Sequence, residues 1–126
     1  MKYLLDTHIL LWWQANDKAL PKAARGFIGD SENEIFISTL TLWEIIIKTA
    51  KGKLTADILE IRQAIQDDGF QILPFRAQHT LEVRNLPLIH QDPFDRGLVA
   101  TAQTEKMVLL TADEILEGYG SSVQKV

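Results

Sequence analysis

The stretch Met107 to Thr111 is apolar at successive positions, so as a strand it has no face to give to water. A strand of that kind belongs in a parallel sheet covered by helices on both sides. Lys2 to Leu5 reads as a second buried strand, and Glu34 to Ser38 as a third by its aromatic and β-branched content. Helical patterns lie between them. His8 to Gln14 is an apolar run with Thr7 placed as its cap, and Pro21 opens a helix that ends near Gly29. Thr39 to Lys51 puts Leu42, Ile45, Ile46 and Thr49 on one face and is closed by Gly52. Asp57 to Asp68 carries Ile58, Ile61 and Ile65 and stops at Gly69, before a strand over Phe70 to Pro74. Ala77 to Arg84 is a short helix broken at Leu86-Pro87, Asp92 to Glu105 is a longer one, and Ser122 to Lys125 adds a weak last strand. The order predicts an α/β fold of three layers, α/β/α, around a central, mainly parallel sheet of four or five strands. With 126 residues, 46% of them hydrophobic, residues 1–126 make a single domain.

Composition narrows the function. The chain has no cysteine, which removes disulfides and thiolate metal sites and fits a reducing compartment, the cytoplasm. An acid at position six comes too early for a signal peptide, and no apolar run nears the ~18 residues of a membrane span. A formal net charge of −4 argues against a passive nucleic-acid binder, yet an enzyme that gathers carboxylates around metal ions can be acidic with only a local basic strip.

Acids recur just beyond the predicted strands. Asp6 ends the first, Glu44 stands six residues after Ser38, and Asp113 stands two after Thr111. Asp95 lies in the first turn of the helix opened by Asp92 and Pro93, where Asp92 suits the N-cap and Pro93 the first helical position. In parallel α/β sheets the loops after the strands converge on one edge, so all four acids can share a pocket. A carboxylate pair ~5 Å apart repels by roughly 3 kcal/mol at an effective dielectric near 20, which calls for a compensating cation. Oxygen ligands without a paired His or Cys set suit Mg²⁺ or Mn²⁺ better than zinc, and the chemistry that follows is metal-assisted attack of water on a phosphodiester.

Four motifs in order, Leu4-Leu5-Asp6-Thr7, Ser38 with Glu44, Asp92-Pro93-Phe94-Asp95-Arg96 followed by Ala100-Thr101-Ala102, and Leu110-Thr111-Ala112-Asp113, resemble those of PIN domains over the whole chain. The stretch Trp43-Glu44-Ile45, Lys48 and Gly52-Lys53-Leu54 is similar to VapC-type toxins of bacterial toxin–antitoxin pairs. The resemblance implies an endoribonuclease dependent on one or two Mg²⁺ or Mn²⁺ ions, often a homodimer, acting on RNA and silenced by a small antitoxin. It implies Asp6 and Asp95 as principal metal ligands, with Glu44 and Asp113 completing the pocket. Asp92 is auxiliary, and Thr7, Ser38 and Thr111 are placed to hydrogen-bond the ligands or water.

Each residue also has a plainer reading. Asp6 and Asp113 can be simple helix caps, and Thr41-Leu42-Trp43-Glu44 matches a capping box that would start its helix at Thr41. Lys48, with Lys51 and Lys53, is either a basic strip for substrate or a solvated face. Arg96 can contact phosphate or balance the acids. His8, His79 and His90 lack a ligand spacing and receive no role, and Trp12 or Trp13 suits an interface, since one short helix cannot bury both. Two other functions compete: a phospho-accepting receiver domain, disfavoured because the third strand ends Leu73-Pro74-Phe75 without an acid, and a catalytically silent protein-binding module.

Overall fold

Strand β1 (Lys2–Leu5) lies in the middle of a five-stranded sheet of order β3-β2-β1-β4-β5, and every pairing is parallel. The computed structural model describes residues 1–126. After β1 come α1 (Thr7–Gln14), α2 (Lys22–Gly29), β2 (Glu34–Ser38), α3 (Thr39–Ala50), α4 (Ile58–Asp67) and β3 (Gln71–Leu73). Then follow α5 (Ala77–Val83), α6 (Pro93–Glu105), β4 (Val108–Thr111), a 3-10 helix over Glu114–Tyr119, and β5 (Val123–Lys125). The α/β fold expected from the strand pattern is the one found, and the weak last segment is the fifth strand.

Alternation along the strands splits the core. Tyr3 and Leu5, Ile35 and Ile37, and Leu110 face α1, α2 and α4, whereas Leu4, Phe36 and Leu109 face α6 and the 3-10 helix, with the partly buried Val83 of α5 beside them. The chain builds outward from β1 to β3 across one face, then returns across the other to reach β4 and β5. Crossovers of one hand must change face when the strand order reverses. The reversal lies between β1 and β4, whose carboxyl ends therefore flank a crevice where α/β sheets bind ligands. The third strand is at an edge of the sheet, not at the centre as the 2-1-3-4-5 order of receiver domains requires, so that competing reading falls.

Three local expectations need correction. Asp6, not Thr7, caps α1: its Oδ1 accepts the Ile9 N–H at 2.9 Å. The capping box at Thr41 does not form, because Ser38 caps α3 by accepting from Leu40 N–H at 3.0 Å, and the buried Thr41 hydroxyl makes no hydrogen bond. The buried stripe of α3 is Leu40, Thr41, Glu44 and Ile45, while Ile46 is exposed. This helix crosses the strand ends, so Leu40 joins one core cluster and Ile45 the other, and Glu44 is turned inward between them.

Candidate metal centre

Asp6 follows β1 directly and is buried beside the start of α1. Its Oδ2 accepts the Thr111 hydroxyl at 2.5 Å, a bond that joins the carboxyl ends of β1 and β4 across the crevice. Thr111 Oγ1 in turn accepts the Asp113 N–H at 3.0 Å, so one hydroxyl sets two of the acids. Glu44 is buried on α3 and held from two sides: Thr7 Oγ1–H donates to its Oε1 at 2.5 Å, and Lys48 Nζ lies 2.7 Å from its Oε2. Asp92 caps α6 by accepting the Asp95 N–H at 2.9 Å, with Pro93 in the first turn as its missing N–H allows. Asp95 then projects from the first turn of α6, its Oδ2 3.4 Å from His90 Nε2.

A close approach of two helices sets Asp95 near Glu44. A Cβ on Gly97 would lie 2.5 Å from Leu40 Cδ1 and 3.4 Å from the Phe75 ring, so glycine lets α6 settle against α3. The aromatic pair Trp43 and Phe94, ring centroids 5.4 Å apart and edge to face, closes the same seam beside the acids. Trp43 is the exposed tryptophan, whereas Trp12 and Trp13 pack partly buried on the core and Trp13 Nε1–H donates to Asp68 at 3.0 Å. Neither Trp12 nor Trp13 is fully buried, as expected of one short helix that carries both.

The electrostatics are those of a site short of positive charge. Burial raises the pKa of Asp6 above its ordinary value, opposed by the hydrogen bonds from Thr111 and Ile9 and the nearby His8, and reinforced by Glu44. Asp95 is pushed up to about 7, first by burial, then by the charge of Asp92, with Asp6 and Glu44 adding to it and His90 opposing. These couplings bring Asp6, Glu44, Asp92 and Asp95 into one neighbourhood, and Asp113 joins through Thr111 and His90. Lys48 neutralises only Glu44 among them. Buried carboxyls with unfilled oxygen lone pairs and too few counter-ions fit a hard divalent cation with oxygen ligands.

Two residues take parts different from those read in the sequence. Arg96 is not directed to substrate: its guanidinium donates to the carbonyls of Pro87, Leu86, Val83 and His90 and to the Tyr119 hydroxyl, at 2.9 to 3.4 Å. It pins the loop before α6. Ser38 makes its cap to α3 and no bond to an acid. His90, given no role above, lies between two acids, its Nε2 3.2 Å from Asp113 Oδ2. Its position five residues before Asp95, in the loop that leads into α6, is the sequence signal that could have marked it.

With this geometry the family profile of the PIN domain matches residues 3–120 of the chain. No curated protein sequence gives a match. Among solved structures, VapBC2 of Rickettsia felis bound to a DNA fragment from its promoter contains a chain similar at TM-score 0.74 and 17% identity, covering 100% of this chain and 99% of that one. A toxin–antitoxin complex from Klebsiella pneumoniae gives TM-score 0.69 and 19% identity, covering 98% and 96%. VapBC-1 of nontypeable Haemophilus influenzae gives 0.62 and 21%, covering 99% and 98%.

Proposed function

Because this chain belongs to the PIN domain family, we propose that it is a divalent-metal-dependent endoribonuclease and the toxin of a toxin–antitoxin pair. The observation that carries the reading is the pair Asp6, buried, and Asp95, half-buried, at the β1–β4 crevice, both raised in pKa by the loss of water around them and neither paired with a lysine or arginine. One or two Mg²⁺ or Mn²⁺ ions held there would polarise water and offset charge on a phosphodiester. Asp6 and Asp95 are the principal ligands, and Glu44 and Asp113 complete the set. Thr111 and Thr7 aim the carboxylates of Asp6 and Glu44, and Asp92 holds Asp95 through its backbone. Lys48, already beside Glu44 and over a third exposed, is placed to swing to an RNA phosphate once a cation takes over its partner.

The toxin half of the reading is supported by the fold shared with toxin–antitoxin complexes over nearly the whole chain. A small antitoxin, a homodimer and a cytoplasmic setting follow from it, and no helix is long and apolar enough to cross a membrane. The test is incubation of the purified chain with structured and transfer RNAs in Mg²⁺, in Mn²⁺ and in EDTA, beside Asp6→Asn and Asp95→Asn. Cleavage that needs metal and vanishes in both variants is the expected result. RNA left intact under all conditions by a folded chain free of antitoxin defeats the enzyme and leaves the silent binding module.

A further inference from the structure

His90, Asp95 and Asp113 each offer an atom within 4.8 Å of the others, an arrangement that resembles a three-ligand metal site. The hydrogen bonds around the imidazole point elsewhere. Its Nδ1 accepts the Asp92 N–H at 3.0 Å, and a backbone amide can only donate. The Nδ1 lone pair is thus in use, and the ring proton sits on Nε2, directed at Asp113 Oδ2 at 3.2 Å with Asp95 Oδ2 at 3.4 Å. A metal ligand needs a lone pair at Nε2, which would move the proton to Nδ1 and set it against the Asp92 N–H.

The loop is built to hold the ring in this pose. The His90 N–H donates to the Tyr119 hydroxyl at 2.9 Å, and its carbonyl takes Arg96 Nη1–H at 3.4 Å. Arg96 also donates to the Tyr119 hydroxyl at 3.1 Å, so backbone, ring and α6 form one unit. We propose that His90 is a positioning residue and not a metal ligand: its Nε2–H bridges the carboxylates of Asp113 and Asp95 and ties the acid after β4 to the acid of α6. The lone pairs left on those oxygens would then be available to a cation, as in metal sites where a neighbour orients a ligand through a hydrogen bond. The tautomer stands on geometry alone, while the metal half rests on the function proposed above.

Long-range ¹H–¹⁵N correlation spectra of the metal-free chain, with H90Q identifying the signal, read the tautomer directly. A His90 ring protonated on Nε2 is expected, and protonation on Nδ1 overturns the proposal. Pulsed EPR of the Mn²⁺-loaded full chain is expected to show no imidazole nitrogen coupling, and a coupling that H90Q abolishes overturns it. By calorimetry, H90A should weaken Mn²⁺ binding about tenfold, the lower end of the range for such neighbours. H90Q, whose amide keeps a donor near the Nε2 position, should restore most of that loss, and an equal loss in both variants counts against a bridging donor. A wild-type chain that binds no Mn²⁺ defeats the nuclease reading, and the spectra still decide the tautomer.

Discussion

Asp95 and Asp6 show how a single carboxyl drawn out of water couples function to stability. Well below pH 3.8 Asp95 is protonated in both folded and unfolded chains, and its burial carries no charge penalty. As pH rises, the unfolded chain releases the proton near 3.8 and the folded chain only near 7, so the folded state loses stability across that window and the loss is complete above it. The difference corresponds to at most about 4 kcal/mol. Asp95→Asn is therefore expected to stabilise the protein in EDTA at pH 8 by a few kcal/mol and to change little at pH 4, as measured by urea unfolding at both. A gain of equal size at the two pH values would show packing, not charge, as the cause. Thr111→Val removes the donor to Asp6 and the acceptor for Asp113 N–H, and should lower stability by about 1 to 3 kcal/mol in the same measurement.

At the scale of elements, the seam between α3 and α6 decides where Glu44 and Asp95 stand. Alanine is the better helix former by about 1 kcal/mol, yet Gly97→Ala would press a methyl group on Leu40 and Phe75. The expected net effect is a loss of about 1 to 3 kcal/mol, smaller in a Leu40→Ala background, which a double-mutant cycle of unfolding free energies reads out. The elements themselves were legible in the sequence because apolar runs and capping residues are local signals. The strand Lys2–Leu5, the helix from Pro93 and the acids at the strand ends all stand where the pattern put them. What pattern reading missed depends on contacts between distant segments. Ile46 has a core side chain's chemistry but sits on the outer face, because α3 rotates Glu44 toward Thr7, 37 positions away in the chain. His90 gained its place from the fold of its own loop and from Asp113, and Arg96 found carbonyls where sequence reading offered it phosphate or the acids.

For the whole molecule, the excess of acid at the crevice would make the metal of the proposed site a folding ligand as well as a cofactor. A cation present at about 100 times its dissociation constant adds about 2.7 kcal/mol to the stability of a protein that binds it only when folded. In a chain of 126 residues that should raise the thermal midpoint by roughly 5 to 15 °C. Calorimetric scans at pH 8 should show this rise with Mn²⁺ over EDTA, and no rise in the Asp6→Asn/Asp95→Asn double variant. A midpoint indifferent to Mn²⁺ in the wild type would remove the metal centre. The order of the sheet has one more effect. Thr111 meets Asp6 across 105 positions of chain, and β4 is the second neighbour of β1, a strand made long before it. During synthesis on the ribosome Asp6 thus waits without its partner until the 105 positions that separate it from Thr111 have been made, and a copy halted midway between them has no pocket at all.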